Sequence, residues 1–190
     1  MPNWTYNTIT VKGEKKDLDK MMADAVRAED GKLHFSGWFP IPETFAKYDT
    51  ANHPDGEGLK VGDAWDDGLG SHDSVVTEQL IEEFKRATKE QMEKYGVVGW
   101  FDYNVMMFGV KWDCELTITE EDDTRIIIHT ETPWNAPDKF LLRMSRKYPE
   151  LTFHGYAISE DDFWEENEYR GGNKTELGSG EYNWDEEEEA

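Results

Sequence analysis

The chain has 190 residues, 42 of them Asp or Glu against 20 Lys or Arg, and a formal charge of −22. That length fits one elaborated domain or two small ones with a real core. The charge argues against unaided adhesion to DNA, RNA or anionic lipid and in favour of basic protein surfaces, including those that nucleic-acid-handling proteins present to their own substrates.

From the N-terminus, Thr5 to Lys12 alternates, with Ile9 and Val11 on one side and Trp4, Tyr6 and Thr8 on the other. This period of two predicts a strand, which Gly13 ends. Leu18, Met21, Met22, Ala25 and Val26 recur at i, i+3, i+4, i+7 and i+8 and predict an amphipathic helix of about three turns. A long stretch follows, residues 30 to about 110. It holds Leu33-His34-Phe35, the segment Trp38-Phe39-Pro40-Ile41-Pro42, a Gly- and Asp-rich loop from Asp55 to Asp73, and a helix from Thr77 to Tyr95 with Leu80, Ile81, Phe84 and Ala87 on one side. The run from Trp100 to Asp113 is unusually aromatic for so acidic a chain.

Beyond it, Trp112, Cys114, Leu116 and Ile118 alternate with polar residues and predict a strand. Glu120-Glu121-Asp122-Asp123 makes a tight polar connection to a second strand carrying Ile126, Ile127 and Ile128. Pro133 stops that strand, Asn135 is placed to cap a helix with Pro137 in its first turn, and Phe140, Leu141, Met144 and Tyr148 give the helix its buried side. Leu151 to Ile158 is a further strand. Residues 159 to 190 hold thirteen acids against Arg170 and Lys174, half of the whole net charge; turns at Arg170 to Asn173 and Gly178 to Gly180 predict an acidic hairpin, and Asp185 to Glu189 a disordered tail.

Strand, helix, strand, strand, helix, strand over residues 1–158 is the α+β, ferredoxin-like split βαβ plan, in which both helices cover one face of an antiparallel sheet. The stretch at about 30–110 is an insertion in that plan, and 159–190 an acidic C-terminal extension.

Catalytic and metal-binding motifs are wanting. His34, His53, His72, His129 and His154 are scattered, without ligand spacing. Asp63-Ala64-Trp65-Asp66-Asp67-Gly68 has a tryptophan at the third ligand position of a calcium loop and Ser74 where its glutamate belongs. Cys114, the one cysteine, excludes an internal disulfide, and its acidic neighbours disfavour a thiolate. No Walker lysine or dinucleotide fingerprint accompanies the glycines. The expectation is a protein without cofactor or metal and, lacking a signal peptide or membrane-length apolar run, a cytoplasmic one. Alternation also places Trp4, Tyr6, His154 and Tyr156 together, opposite Ile9 and Val11. This is a base-stacking platform on paper, but with Asp113 and Glu115 beside it and no cations for phosphate. The expectation is therefore that the insertion or the C-terminal hairpin covers those aromatics.

Met1-Pro2-Asn3-Trp4 with Asn7 to Val11 and Gly13, Phe39-Pro40-Ile41-Pro42-Glu43, Phe108-Gly109-Val110-Lys111-Trp112-Asp113, Thr132-Pro133-Trp134-Asn135-Ala136-Pro137, and Tyr148 to Phe153 occur in this order. Together they resemble the YubB-like ferredoxin-fold family of plasmid and bacteriophage proteins, from which Phe108 and Val110 depart, as does the acidic end. The resemblance implies a mobile-element accessory protein and carries over no catalytic residue. With the charge, it leads to the expectation of a nonenzymatic protein that binds a basic groove of a host protein, in its sharper form as a nucleic-acid mimic inhibiting a defence or DNA-handling complex. The expected contacts are Glu120, Glu121, Asp122 and Asp123, and Glu160, Asp161, Asp162, Glu165, Glu166 and Glu168 around the apolar anchor Trp164. The alternatives are an enzyme using a pocket under the insertion, on a small cationic or metal-bound substrate, and a virion or assembly component.

Overall fold

The computed structural model describes residues 2–48, 50, 52–65 and 74–184. Contacts cluster into two compact units, one of residues 1–40 with 106–190 and one of residues 41–105.

The first unit is built on a seven-stranded antiparallel sheet. Its strands are β1 (Trp4–Lys12), β2 (Leu33–His34), β5 (Glu115–Glu121), β6 (Arg125–Pro133), β7 (Thr152–Ser159), β8 (Phe163–Arg170) and β9 (Asn173–Glu181), in the order β2-β5-β6-β1-β7-β8-β9; β3 (Ala64–Trp65) and β4 (Ser74–Val75) belong to the second unit. The sheet is thus larger than the four strands expected. β2 falls inside the expected insertion yet pairs with β5, and the acidic C-terminal segment supplies β8 and β9. Those last two strands extend the sheet in its own plane rather than folding over its face; of the aromatics expected to be covered, Tyr6 meets Trp184 from beyond β9. Asp185 to Glu189, the expected tail, lies outside the described residues.

One sheet face is buried. Thr5, Asn7, Ile9 and Val11 of β1, Ile126, Ile128, Thr130 and Thr132 of β6, Phe153 and Ala157 of β7, and Tyr169 of β8 point to it. Helix α1 (Lys15–Ala23) packs on β6, and α5 (Asp138–Lys147) on β7, β8 and β9. The two helices meet where Tyr148, after α5, donates to Asp24, after α1, at 3.0 Å. Between them Phe140 lies 4.4 Å from Phe35 and about 6 Å from Trp38 and Phe39, ring centre to ring centre, with Phe108 beyond.

Three local expectations are corrected. α1 ends at Ala23, because the Asp24 N–H closes it on the Lys20 carbonyl and the Ala25 N–H on that of Met22, while the Val26 N–H turns to the Gly37 carbonyl; Val26 is 68% exposed. Asn135 caps nothing. Pro137 stands at the α5 N-cap, and the Asn135 carbonyl instead accepts from the Thr132 hydroxyl at 2.6 Å. Trp112 and Cys114 precede β5 rather than open it, and the aromatic run from Trp100 is helical, α4 (Trp100–Phe108).

Tyr169 fixes α5 to the sheet. Its hydroxyl donates to Asp138, which also pairs with Lys174, and Lys174 reaches Glu165 at 3.5 Å. Burial, then the hydrogen bond to Asp138, holds the Tyr169 hydroxyl far above its ordinary value near 10, and burial with Asp24 does the same for Tyr148. A phenol whose folded pKa is raised contributes stability that is complete below its unfolded value and is lost as pH climbs above it. Unfolding free energy is therefore expected to fall steeply above pH 10, and Tyr169→Phe to flatten that limb, as measured by urea denaturation across the alkaline range. An unchanged limb in the variant would contradict the assignment.

The second unit, residues 41–105, holds α2 (Glu43–Ala46), the β3–β4 ladder and α3 (Glu78–Tyr95). Thr77 caps α3 by accepting from the Leu80 N–H, and Phe84 and Ala87 pack with Tyr48, Leu59 and Leu80. Gln91, fully buried, accepts from the Thr50 hydroxyl at 2.6 Å and the Gly99 N–H at 2.9 Å and donates to the Thr44 carbonyl. Of the calcium-like segment, Asp66 to Gly68 lie outside the described residues, as does His72.

Candidate binding cleft on the open sheet face

The strand period that buries Ile9 and Val11 sends their neighbours to the other face. Register fixes the rows there. Glu131, Tyr6, Ile158, Trp164 and Gly180 lie in one row across β6, β1, β7, β8 and β9; Thr117, His129, Thr8, Tyr156, Glu166 and Gly178 in the next; and Ile127, Thr10, His154 and Glu168 in a third. Trp164 lies flat across β9, which only glycines permit: a Cβ at Gly178 would come within 2.9 Å of its ring and one at Gly180 within 3.2 Å. Tyr156 contacts Trp164 at 6.0 Å. The expected aromatics therefore do share a face, and Tyr6 is 40% exposed on it. From beyond β9, Trp184 reaches back to the Tyr6 ring edge.

A cleft of about 570 Å³ opens at the β5–β6–β1 side of this face. Trp4, Tyr6 and Trp112 wall it, Thr8, Thr117 and His129 line it, and Asp113, Glu115 and Glu131 give it charge; no Lys or Arg is among the described residues that line it. Trp4 and Trp112 are in contact at 5.6 Å, Trp112 continues to Trp134 at 6.4 Å, and the Lys111 ammonium lies 5.5 and 5.7 Å over those last two rings. Trp134 has a positive φ of 64° and is 46% exposed. The three carboxylates differ. Asp113 accepts from the Ser36 N–H at 2.9 Å and Glu115 pairs with Lys32 at 2.6 Å, whereas Glu131 has no cationic partner among the described residues. Cys114 is buried beside the cleft, and burial with the Asp113 charge pushes its thiol up to about 12, so it is no nucleophile.

The expected contact residues fall in two places. Glu120 and Glu121 end β5 and lead into Asp122 and Asp123 of the β5–β6 turn beside the Lys12 end of β1, and Glu160, Asp161 and Asp162 form the β7–β8 turn beside its Trp4 end. Nine residues of strand, about 26 Å, separate them, so they are not one patch. The first turn is largely self-satisfied: Glu120 pairs with Arg125, Asp123 with Lys15, and Asp122 accepts from Thr124 and Arg125, interactions that hold its carboxyl below the usual range. In the second, Glu160 accepts from the Trp4 N–H at 2.7 Å and the Tyr6 hydroxyl at 3.2 Å, and Asp161 accepts from Asn3. Trp164, Glu166 and Glu168 stand on the open face, whereas Glu165 points to the helix side and Lys174.

The histidines are explained locally. His154 bonds Glu166 at 2.8 Å, His129 shares a hydrogen bond with Thr8, and His34 donates to the Asp113 carbonyl. Among the described residues no group of three His, Cys, Asp or Glu is placed to hold a metal ion, and no helix is long and apolar enough to cross a membrane. The residues that sequence reasoning missed are Glu131 and Trp112 as cleft walls. For Glu131 the signal was register, which places it opposite Tyr6; Trp112 precedes β5 and lies outside the register.

No family model matches the chain, and no curated protein matches it. Among solved structures, protein Api92 of Yersinia pseudotuberculosis, attributed to the DUF1281 family, is similar with a TM-score of 0.51 over 96% of this chain and 99% of that one. At 11% identity the likeness is one of fold.

Proposed function

We propose that the chain is a nonenzymatic binding protein that receives a basic segment of a partner protein on its open sheet face. The observation that carries the proposal is the cleft, where three acids and three aromatic side chains converge with no Lys or Arg among the described lining residues. Glu166 and Glu168 stand two strands beyond β1 on the same face, so carboxylates flank an aromatic strip roughly 14 Å wide at about 4.8 Å per strand. Carboxylates held on strands can take the place of phosphates in a basic groove and speed encounter. They also repel nucleic acid itself, which weighs against base stacking on the same aromatics.

The motifs at both ends of β1, at Phe39 to Glu43 and Phe108 to Asp113, across the β6–α5 junction and after α5 support the finer reading of a phage or plasmid accessory protein of the YubB-like kind. The order β5-β6-β1-β7, with α1 and α5 on one face, supports a ferredoxin-like plan to which β2, β8 and β9 are additions. In that reading the partner is a host defence or DNA-handling protein.

The test is capture of host proteins on the tagged chain over a salt series. A stoichiometric partner released by salt is expected. Glu131→Lys with Glu166→Lys should weaken its retention by about tenfold or more, because like charge is then presented to a basic surface. Lysines at Glu120 to Asp123 should matter less, since three of those four acids are already engaged. Retention unaffected by the face variant and abolished by the turn variant would move the contact to the turn.

A further inference from the structure

The cleft has a more specific chemistry than an acidic surface needs. Resting on the binding reading above, we propose that it is a receptor for one arginine side chain of the partner segment. Four observations converge on this. The volume, about 570 Å³, suits one long side chain with its flanking backbone. The Trp4 and Trp112 indoles and the Tyr6 ring form its wall, and indole faces attract cations. One of the two, Trp112, does so here, since the Lys111 ammonium is held over it and over the neighbouring Trp134. Finally, Glu131 supplies a negative charge that no cation in the described structure neutralises, whereas the other two carboxylates of the cleft are engaged by Ser36 and Lys32.

Arginine fits this set better than lysine. Its planar guanidinium can lie against an indole while two of its N–H groups meet one carboxylate, and it gives up hydration more readily than an ammonium. The Glu131 carboxylate beside the Tyr6 ring provides the edge, and the indoles the face. Lysine would gain the charge attraction but not the planar fit.

The experiment is a titration of the whole chain with N-acetyl-arginine methylamide, followed through the indole N–H resonances, with N-acetyl-lysine methylamide as the control. Saturable shifts at Trp4 and Trp112 are expected, with the lysine compound binding about fivefold more weakly. Glu131→Gln, an exposed and near-isosteric change, should weaken arginine binding by about fivefold or more, and Trp112→Ala should abolish the saturable component. Equal affinity for the two compounds, equal affinity of Glu131→Gln and wild type, or shifts that never saturate would each overturn the proposal. Should Trp112→Ala lose its fold, Glu131→Gln alone decides. The two readings separate cleanly: a salt-released partner still sensitive to Glu166→Lys, without arginine binding, overturns the receptor and leaves the binding face; arginine binding with no captured partner does the reverse.

Discussion

Phe140→Ala is expected to lower the stability of the first unit by about 3 to 5 kcal/mol, the range for deleting a buried aromatic ring. Phe140 is almost fully buried and lies against Phe35 while also meeting Trp38, Phe39 and Phe108, so its removal leaves a cavity lined by rigid rings that cannot collapse into it. Urea denaturation monitored by tryptophan fluorescence measures the effect, and Phe140→Leu should recover part of it. A loss below about 1 kcal/mol would mean that the aromatic cluster is not the centre of this core.

Asn7→Ala is expected to cost about 2 to 3 kcal/mol, more than an apolar truncation of the same size, because it leaves buried acceptors without their donor. The Asn7 amide donates to the Thr132 hydroxyl and the Thr5 carbonyl at 2.8 Å and to the Thr130 carbonyl at 3.2 Å, all on the helix side of the sheet. The Thr132 hydroxyl in turn donates to the Asn135 carbonyl, so the network also shapes the turn that leads to α5. Hydrogen exchange should show protection lost first at the Trp4 end of β1 and at Thr132 to Asn135. Uniform loss over the whole unit would contradict this local role.

Much of the first unit was legible because its apolar periods are clean. Ile9 and Val11 announced β1, Ile126 to Ile128 announced β6, and Phe140, Leu141 and Met144 announced the buried side of α5. β8 was legible only as a turn-bounded acidic segment. Its inward residues are Asn167 and Tyr169 rather than Val or Ile, and its outward row of Trp164, Glu166 and Glu168 hides the alternation among acids. The apolar stripe of α1 overran because Ala25 and Val26 kept the helical spacing by chance after the chain had turned at Asp24. Asn135 stands two residues before the N-cap Pro137, too early to cap a helix that begins at Asp138.

The candidate site was half legible. That Trp4, Tyr6 and Tyr156 share a face follows from period two alone. That Trp112 and Glu131 join Tyr6 in one cleft does not, since it needs the pairing of β1 with β6 and the irregular approach of Trp112 and Asp113 to β5. Acid clusters were legible as composition but not as geometry. The two turns that composition groups together stand at opposite ends of β1, and Glu165 differs from Glu166 only in which face its strand position presents.

The most direct measurement is a resonance map of the chain with a short oligoarginine peptide at moderate salt. Perturbations centred on Tyr6, His129, Glu131, Tyr156 and Trp164, and lost when Glu131 and Glu166 are reversed to lysine, are the predicted result. Perturbations confined to Glu120 to Asp123, or spread over the helix face around α5, would contradict the open sheet face as the binding surface.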